Sequence, residues 1–368
     1  MKLFGKNYTK KKILERVGDV CQIGGVRQYE YSDGVSKGVK AADLKNGNGL
    51  NITVLLDRGM DIGDAVYKGA SLVWKSSNRE PHPLYFDKDG YEWLQTFSGG
   101  LLVTCGLTYF GAPCVDENEN LGLHGRISNI QAYNISTNSR WEGNDYWIWV
   151  KGKVRETAVF KDKLEMERKI SMKLGEDKIY IEDTIENIGF KDSPLMTLYH
   201  MNFGFPLIDN RSRLELFKHK TMHYLEDAIK HKEDYDEFTD PENNYIHRVY
   251  LHDLASDQED NCNALIMNRN FQNGKGLGLS IKFNKNNLPF LNEWKMMGKG
   301  EYVVAVEPTN APVRGRETER KEGYLRFIEP GQEIKNRIEI EILKSNAEID
   351  KYLKSTNSKI LKGIVKVN

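Results

Sequence analysis

Over much of its length this chain alternates apolar and polar residues with period two. Tyr146–Arg155 reads YWIWVKGKVR, Lys163–Leu174 reads KLEMERKISMKL and Lys178–Glu186 reads KIYIEDTIE. A strand turns successive side chains to opposite faces, so this pattern buries one face and wets the other, as antiparallel sheets do. The alternation returns in Leu277–Phe283, Tyr302–Val306, Tyr324–Ile328 and Ile334–Leu343. Upstream, Asn51–Leu56, Leu72–Lys75, Leu101–Leu107 and Ile127–Ser136 are strand-like runs divided by Gly, Asn, Asp and Pro. Helices are few: Tyr8–Val17, and a short one at about residues 346–354, where Ser345 and Glu348 have capping-box spacing. No repeat, low-complexity tract or linker divides the chain. The expectation is all-β: a single domain over 1–368, built as one large antiparallel β-sandwich.

Composition narrows the function classes. The chain carries 53 basic and 53 acidic side chains, a formal net charge of zero. That lacks the electrostatic footprint of a nucleic-acid binder. Hydrophobic residues are 39% of the chain, enough for a core. No apolar run approaches the roughly 20 residues that span a bilayer. The start, MKLFGKNYTKKKILERV, has no apolar h-region, and Cys21, Cys105, Cys114 and Cys262 show no framework spacing. The expected setting is cytoplasmic with reduced thiols, without nucleic-acid or membrane partners, and with a homodimer left open.

Phe217–Asn263 is more polar and holds five of the eight histidines: His219, His223, His231, His247 and His252. A metal site there would need ligand spacings that the stretch does not show. The reading adopted is a polar insertion over the sandwich rim, with no metal. Of the other histidines, His82 lies between two prolines. His124 stands in GLHGR, where flanking glycines allow a sharp bend and close approach of a ligand. His200 ends the apolar run LMTLYH before a Gly/Pro break, where it can point into a cleft at the sheet rim. Glu307 follows the apolar run YVVAV and precedes a proline. A carboxylate leaving a buried strand is partly desolvated, which raises its pKa and suits a general base. Each of these also has an ordinary structural reading. Arg58 in LLDRGMDI and Arg126, two residues after His124, could each hold sugar hydroxyls. Arg58 could equally pair with Asp57 or Asp61. Trp74, Trp93 and Trp294 could stack on a sugar ring or sit in the core. The chain has no dinucleotide fingerprint, P-loop, H-E-x-x-H or G-x-S-x-G motif.

These segments, in this order, resemble the aldose 1-epimerases of the galactose mutarotase-like superfamily. FSGGLLVTCGLTYFGAP followed by LGLHGRISN resembles the hexose-6-phosphate 1-epimerase branch. LYHMNFGF resembles the strand carrying the general acid, WKMMGKGEYVVAVEPTN the segment carrying the catalytic Glu, and IEPGQEIKNRIEIEI the last strands. DRGMDI and GLHGR look closest to an uncharacterised subgroup. The resemblance spans roughly residues 45 to 343 as order and spacing. It implies a supersandwich fold and an acid–base isomerase that needs no cofactor and acts on a small carbohydrate. It assigns Glu307 as base, His200 as acid and His124 as the substrate-orienting histidine. Two departures bear on substrate. Ser98 stands where the 6-phosphate branch carries arginine, and the family's substrate-binding Asp has only Asp209 as its nearest counterpart. A non-catalytic carbohydrate-binding protein on the same fold is the rival reading. An acid and a base facing one cleft, a sugar ring apart, would favour the enzyme.

Overall fold

The computed structural model describes residues 1–223 and 226–360, and the expected β architecture is what it shows. Three antiparallel sheets account for most of it. A five-stranded meander runs from Gly25 to Ser71. An eight-stranded sheet has the order Tyr133–Glu142, Asp145–Thr157, Lys163–Lys173, Lys178–Asn187, Glu333–Leu343, Leu277–Asn284, Asn261–Asn268 and Ser212–Leu216. Five of the seven period-two segments lie in this sheet, Tyr302–Val306 and Tyr324–Ile328 falling in the third, and in Asp145–Thr157 the inward residues Ile148, Val150 and Val154 are fully buried.

The third sheet carries the site. Five of its strands are labelled here: β1 (Val103–Leu107), β2 (Ser193–Gly204), β3 (Arg248–Leu254), β4 (Phe290–Gly298) and β5 (Glu301–Thr309). Its order is His219–His223, β3, β4, β5, β2 and Arg326–Ile328, with β1 also pairing β2. β2 is buried along its whole length, so both of its faces are packed. Tyr199, Met201 and Phe203 point into the main core between the sheets. Met196 and Leu198 point the other way, into a smaller outer cluster with Trp93, Phe97, Val103 and Phe110.

A buried ion network ties the three sheets together. Arg168 donates to both carboxylate oxygens of Asp183 and to Asp61. Tyr199 on β2 donates to Asp183 as well, at 2.8 Å. Removing one partner from such a network strands a buried charge, at a cost of about 3–5 kcal/mol.

Several local expectations need adjusting. The early helix is shorter, Lys10–Leu14, with Thr9 capping Lys12. The late one is longer, Asn346–Ile360, with Ser345 Oγ accepting from Glu348 N. Leu72–Lys75 is not a strand; only Lys75 makes an isolated bridge, to Gly99. The polar stretch 217–263 is woven into the third sheet, because it supplies His219–His223 and β3; its residues 224–225 lie outside the described ones. Within it, His252 is fully buried and meets Glu293 of β4 at 3.2 Å on the inner face. All four cysteines are free thiols. Among the described residues, no three His, Cys, Asp or Glu side chains gather as metal ligands. Among them, too, no helix is long and apolar enough to cross a membrane.

Candidate active site

The site is built on the outer face of the third sheet by strand register. Leu198 lies opposite Thr309 and Met201 opposite Val306, which sets His200 of β2 opposite Glu307 of β5. His200 is also opposite Val103, and Glu307 is opposite Asn292 of β4. Residues directly opposed on antiparallel strands share a face, with Cβ atoms about 5 Å apart. His200 Nε2 and Glu307 Oε1 accordingly stand 3.1 Å apart. The expectation of a ring's width between them gives way to direct contact, because adjacent strands lie about 4.8 Å apart.

Both side chains are buried, at 4% and 3% exposure. Burial pushes the Glu307 carboxyl up to about 8. Burial, and then the neighbouring His124, push the His200 imidazole well below its ordinary value. Each shift disfavours the charged form, as desolvation does. Near neutral pH the pair therefore holds one proton, on the Glu307 carboxyl, with the His200 ring neutral.

His124 reaches the pair from a loop, its ring 5.8 Å from that of His200 and perpendicular to it. Its backbone is left-handed, with φ of 58°, a conformation costing a non-glycine residue about 1–2 kcal/mol. Two backbone hydrogen bonds hold it there: His124 N donates to Gly111 O, and His124 O accepts from Gly106 N. The next residue, Gly125, has φ of 75°, and a Cβ there would lie 2.5 Å from the Gly106 carbonyl oxygen. The glycines of GLHGR are thus what bring the imidazole to the sheet. Burial of the ring pushes it down to about 4.

Aromatic rings wall the site. Trp294 stands edge-on to His200 at 5.7 Å and Trp74 edge-on to Trp294 at 6.3 Å. Phe97 lies 5.3 Å from His200, and Trp93 packs on both Phe97 and His124. Trp74, Trp294 and His124 are half-exposed, while Trp93 and Phe97 are buried. The Gly-Gly pair of FSGG explains the tight layering, since a Cβ on Gly99 would lie 2.5 Å from the Trp74 carbonyl oxygen.

Of the residues singled out in the sequence, His124, His200, Trp294 and Glu307 converge. Three others are engaged elsewhere. Arg58 is 2% exposed and donates to the carbonyl oxygens of Pro81 and Thr96, at 2.5 and 2.6 Å, so its fork is spent on backbone. Arg126 donates to the Thr157 carbonyl oxygen at the end of a strand of the eight-stranded sheet. Asp209 accepts from Arg211 N and Asn268 Nδ2, which makes it a turn-stabilising residue after β2. Sequence reasoning missed Phe97, which lies in no periodic pattern.

Comparison with known proteins places the fold. A candidate aldose 1-epimerase from Klebsiella pneumoniae subsp. pneumoniae superposes with a TM-score of 0.85 at 22% identity, covering 93% of this chain and 88% of that one. A galactose mutarotase-like protein from Clostridium acetobutylicum gives 0.60 at 12% identity, over 88% and 99% of the two chains. Galactose 1-epimerase from Lactobacillus acidophilus gives 0.59 at 11%, over 88% and 100%. The fold is therefore the galactose mutarotase-like supersandwich. No curated protein matches the chain in sequence. Residues 36–342 match the family model described as a domain of unknown function, DUF4432. With most of its length inside that match, the chain belongs to the DUF4432 family of the galactose mutarotase-like fold.

Proposed function

We propose that this protein interconverts the α and β anomers of an aldose or a close derivative. The observation that carries the reading is the buried His200–Glu307 contact on an aromatic-walled face. Mutarotation takes a proton from the C1 hydroxyl and gives one to the ring oxygen. Both oxygens are bonded to C1, so they form one edge of the sugar. An acid and a base on neighbouring strands can meet that edge together, with the ring lying against Trp294 rather than between the two groups.

The proton count suits the reaction. Moving that proton from the Glu307 carboxyl to His200 Nε2, 3.1 Å away, gives the reactive form, with Glu307 as carboxylate and His200 as imidazolium. Glu307 then accepts the O1 proton while Nε2–H donates to the ring oxygen. The bond from C1 to the ring oxygen breaks and a C1 aldehyde forms. Rotation about C1–C2 and the reverse proton transfers close the other anomer and restore the pair. Each proton-transfer contribution is typically worth about 10²–10⁴-fold. His124, fixed beside His200, orients the sugar by hydrogen bonding.

NMR anomer exchange across a panel of free and phosphorylated aldoses tests this. Exchange well above the water rate on at least one sugar is expected. Tight binding with every exchange rate left at its water value would return the protein to the carbohydrate-binding class.

A further inference from the structure

Arg58 holds a feature that the acid–base pair leaves unused. Its two donors reach Pro81 O and Thr96 O, the two ends of a 3₁₀-rich arc. One buried guanidinium thus closes the arc like a clasp. Further bonds fix its span: Leu123 N donates to Gly90 O, and Asn78 Nδ2 to Leu94 O. The arc lies over the outer face of the third sheet and carries Trp93 on its inner side. Trp93 is 2% exposed, its ring stacked on Phe97 at 4.7 Å and edge-on to His124 at 4.8 Å. Its outer side carries Leu84 and Tyr91, both exposed.

Among the described residues, Trp93 Nε1 and His124 Nδ1 are buried without a hydrogen-bond partner, as are His200 Nδ1 and Glu307 Oε1 of the pair itself. An unmet buried donor costs about 1–3 kcal/mol, so folded proteins rarely leave one without use. Indole N–H can only donate, and usually finds an acceptor when buried. Here two such atoms belong to rings in contact, next to His200. A sugar presents several hydroxyl oxygens, each able to accept one hydrogen bond and donate another. We propose that Trp93 is a substrate-binding residue that donates its indole N–H to a sugar hydroxyl, from an arc that Arg58 closes. This rests on the anomer-exchange reading for the identity of the ligand. It adds a recognition contact beside His124.

Trp93→Phe keeps a stacking ring and removes only the donor. Affinity is measured by ligand-observed NMR with D-glucose, D-galactose, D-mannose and L-fucose, alongside anomer exchange. The expected result is binding about 5- to 10-fold weaker than wild type, the size of one hydrogen bond. Unchanged affinity in a folded Trp93→Phe protein would overturn the assignment while leaving the exchange reading intact. If the wild type binds an aldose without exchanging its anomers, the exchange reading fails, and the affinity comparison still decides the Trp93 contact. If it binds none of the four, the Trp93 assignment falls, and the exchange reading is decided by the wider panel of free and phosphorylated aldoses. Should Trp93→Phe not fold, the assigned Trp93 indole ¹H–¹⁵N signal in the wild type serves instead. It should move downfield on titration with the sugar, and a stationary signal would overturn the proposal.

Discussion

His200 Nε2 and Glu307 Oε1 are 3.1 Å apart because their residues stand directly opposite each other on two hydrogen-bonded strands. The backbone register fixes the separation of the two side chains, and both rest on fully buried neighbours such as Leu198 and Val306. The chemistry expected of the site follows from that contact.

Replacing Glu307 with Gln keeps shape and removes the base. Turnover in anomer exchange should fall at least about 10²-fold while sugar affinity stays near wild type. His200→Asn should behave alike, and the double variant should lose little more than either single one, since the two groups act as a unit. Polarimetry on the most active sugar measures this, and a fully active Glu307→Gln protein would remove Glu307 as the base.

The pH dependence of kcat/KM should be bell-shaped with unequal limbs. The active pair carries one proton. Burial places loss of that proton near pH 8 and gain of a second well below the ordinary histidine range. The plateau should therefore extend across neutrality and end near pH 8. Rates still climbing at pH 9 would contradict the burial argument.

Stability carries the same signature. Glu307 binds its proton more tightly folded, with a value of about 8, than unfolded, at about 4.3. Its contribution is thus complete below about pH 4.3 and is lost as pH rises through 8. His124, pushed down to about 4, gives a slope of opposite sign that ends near its unfolded value of about 6.5. Between pH 6.5 and 8, Glu307→Gln should therefore gain on the wild type, by up to about 1.4 kcal/mol per pH unit. Urea denaturation at three pH values reads the difference. A constant gap would mean that the carboxyl titrates near its ordinary value.

Arg58→Leu should destabilise the fold by about 3 kcal/mol, because the Pro81 and Thr96 carbonyls lose their buried donor. Arg58→Lys, with charge but no fork, should fall between. Chemical denaturation checks both, and a stability unchanged by Arg58→Leu would show that the clasp carries no weight.

The strands were legible where one face is wet. Lys163–Lys173 keeps its period at Leu164, Met166, Ile170 and Met172, broken only by the buried Arg168, and lies within one residue of its expected end. His200 and Glu307 could be picked out because each sits in an unusually apolar strand. Their contact could not, since register is a pairing between strands about a hundred residues apart. Arg58 misled for a similar reason: its carbonyl partners lie 23 and 38 residues away and carry no side-chain signal. The stretch from Phe217 to Asn263 looked like rim because polarity hides a strand whose inward residue is His252, a buried histidine with a carboxylate partner. The arc bearing Trp93 has 3₁₀ turns rather than a sheet or helix period, so nothing in the spacing announced it.

The proposed acid and base, His200 and Glu307, belong to the sheet, whereas His124, Trp93 and Phe97 belong to connecting segments. These two parts of the site are free to change at different rates. An insertion of one residue within β5 before Glu307 would turn that carboxyl to the opposite face and end the chemistry at once. A remodelled arc would alter only the walls that a sugar meets. A site divided this way lets a change in the loops alter what is bound without moving the proposed acid and base.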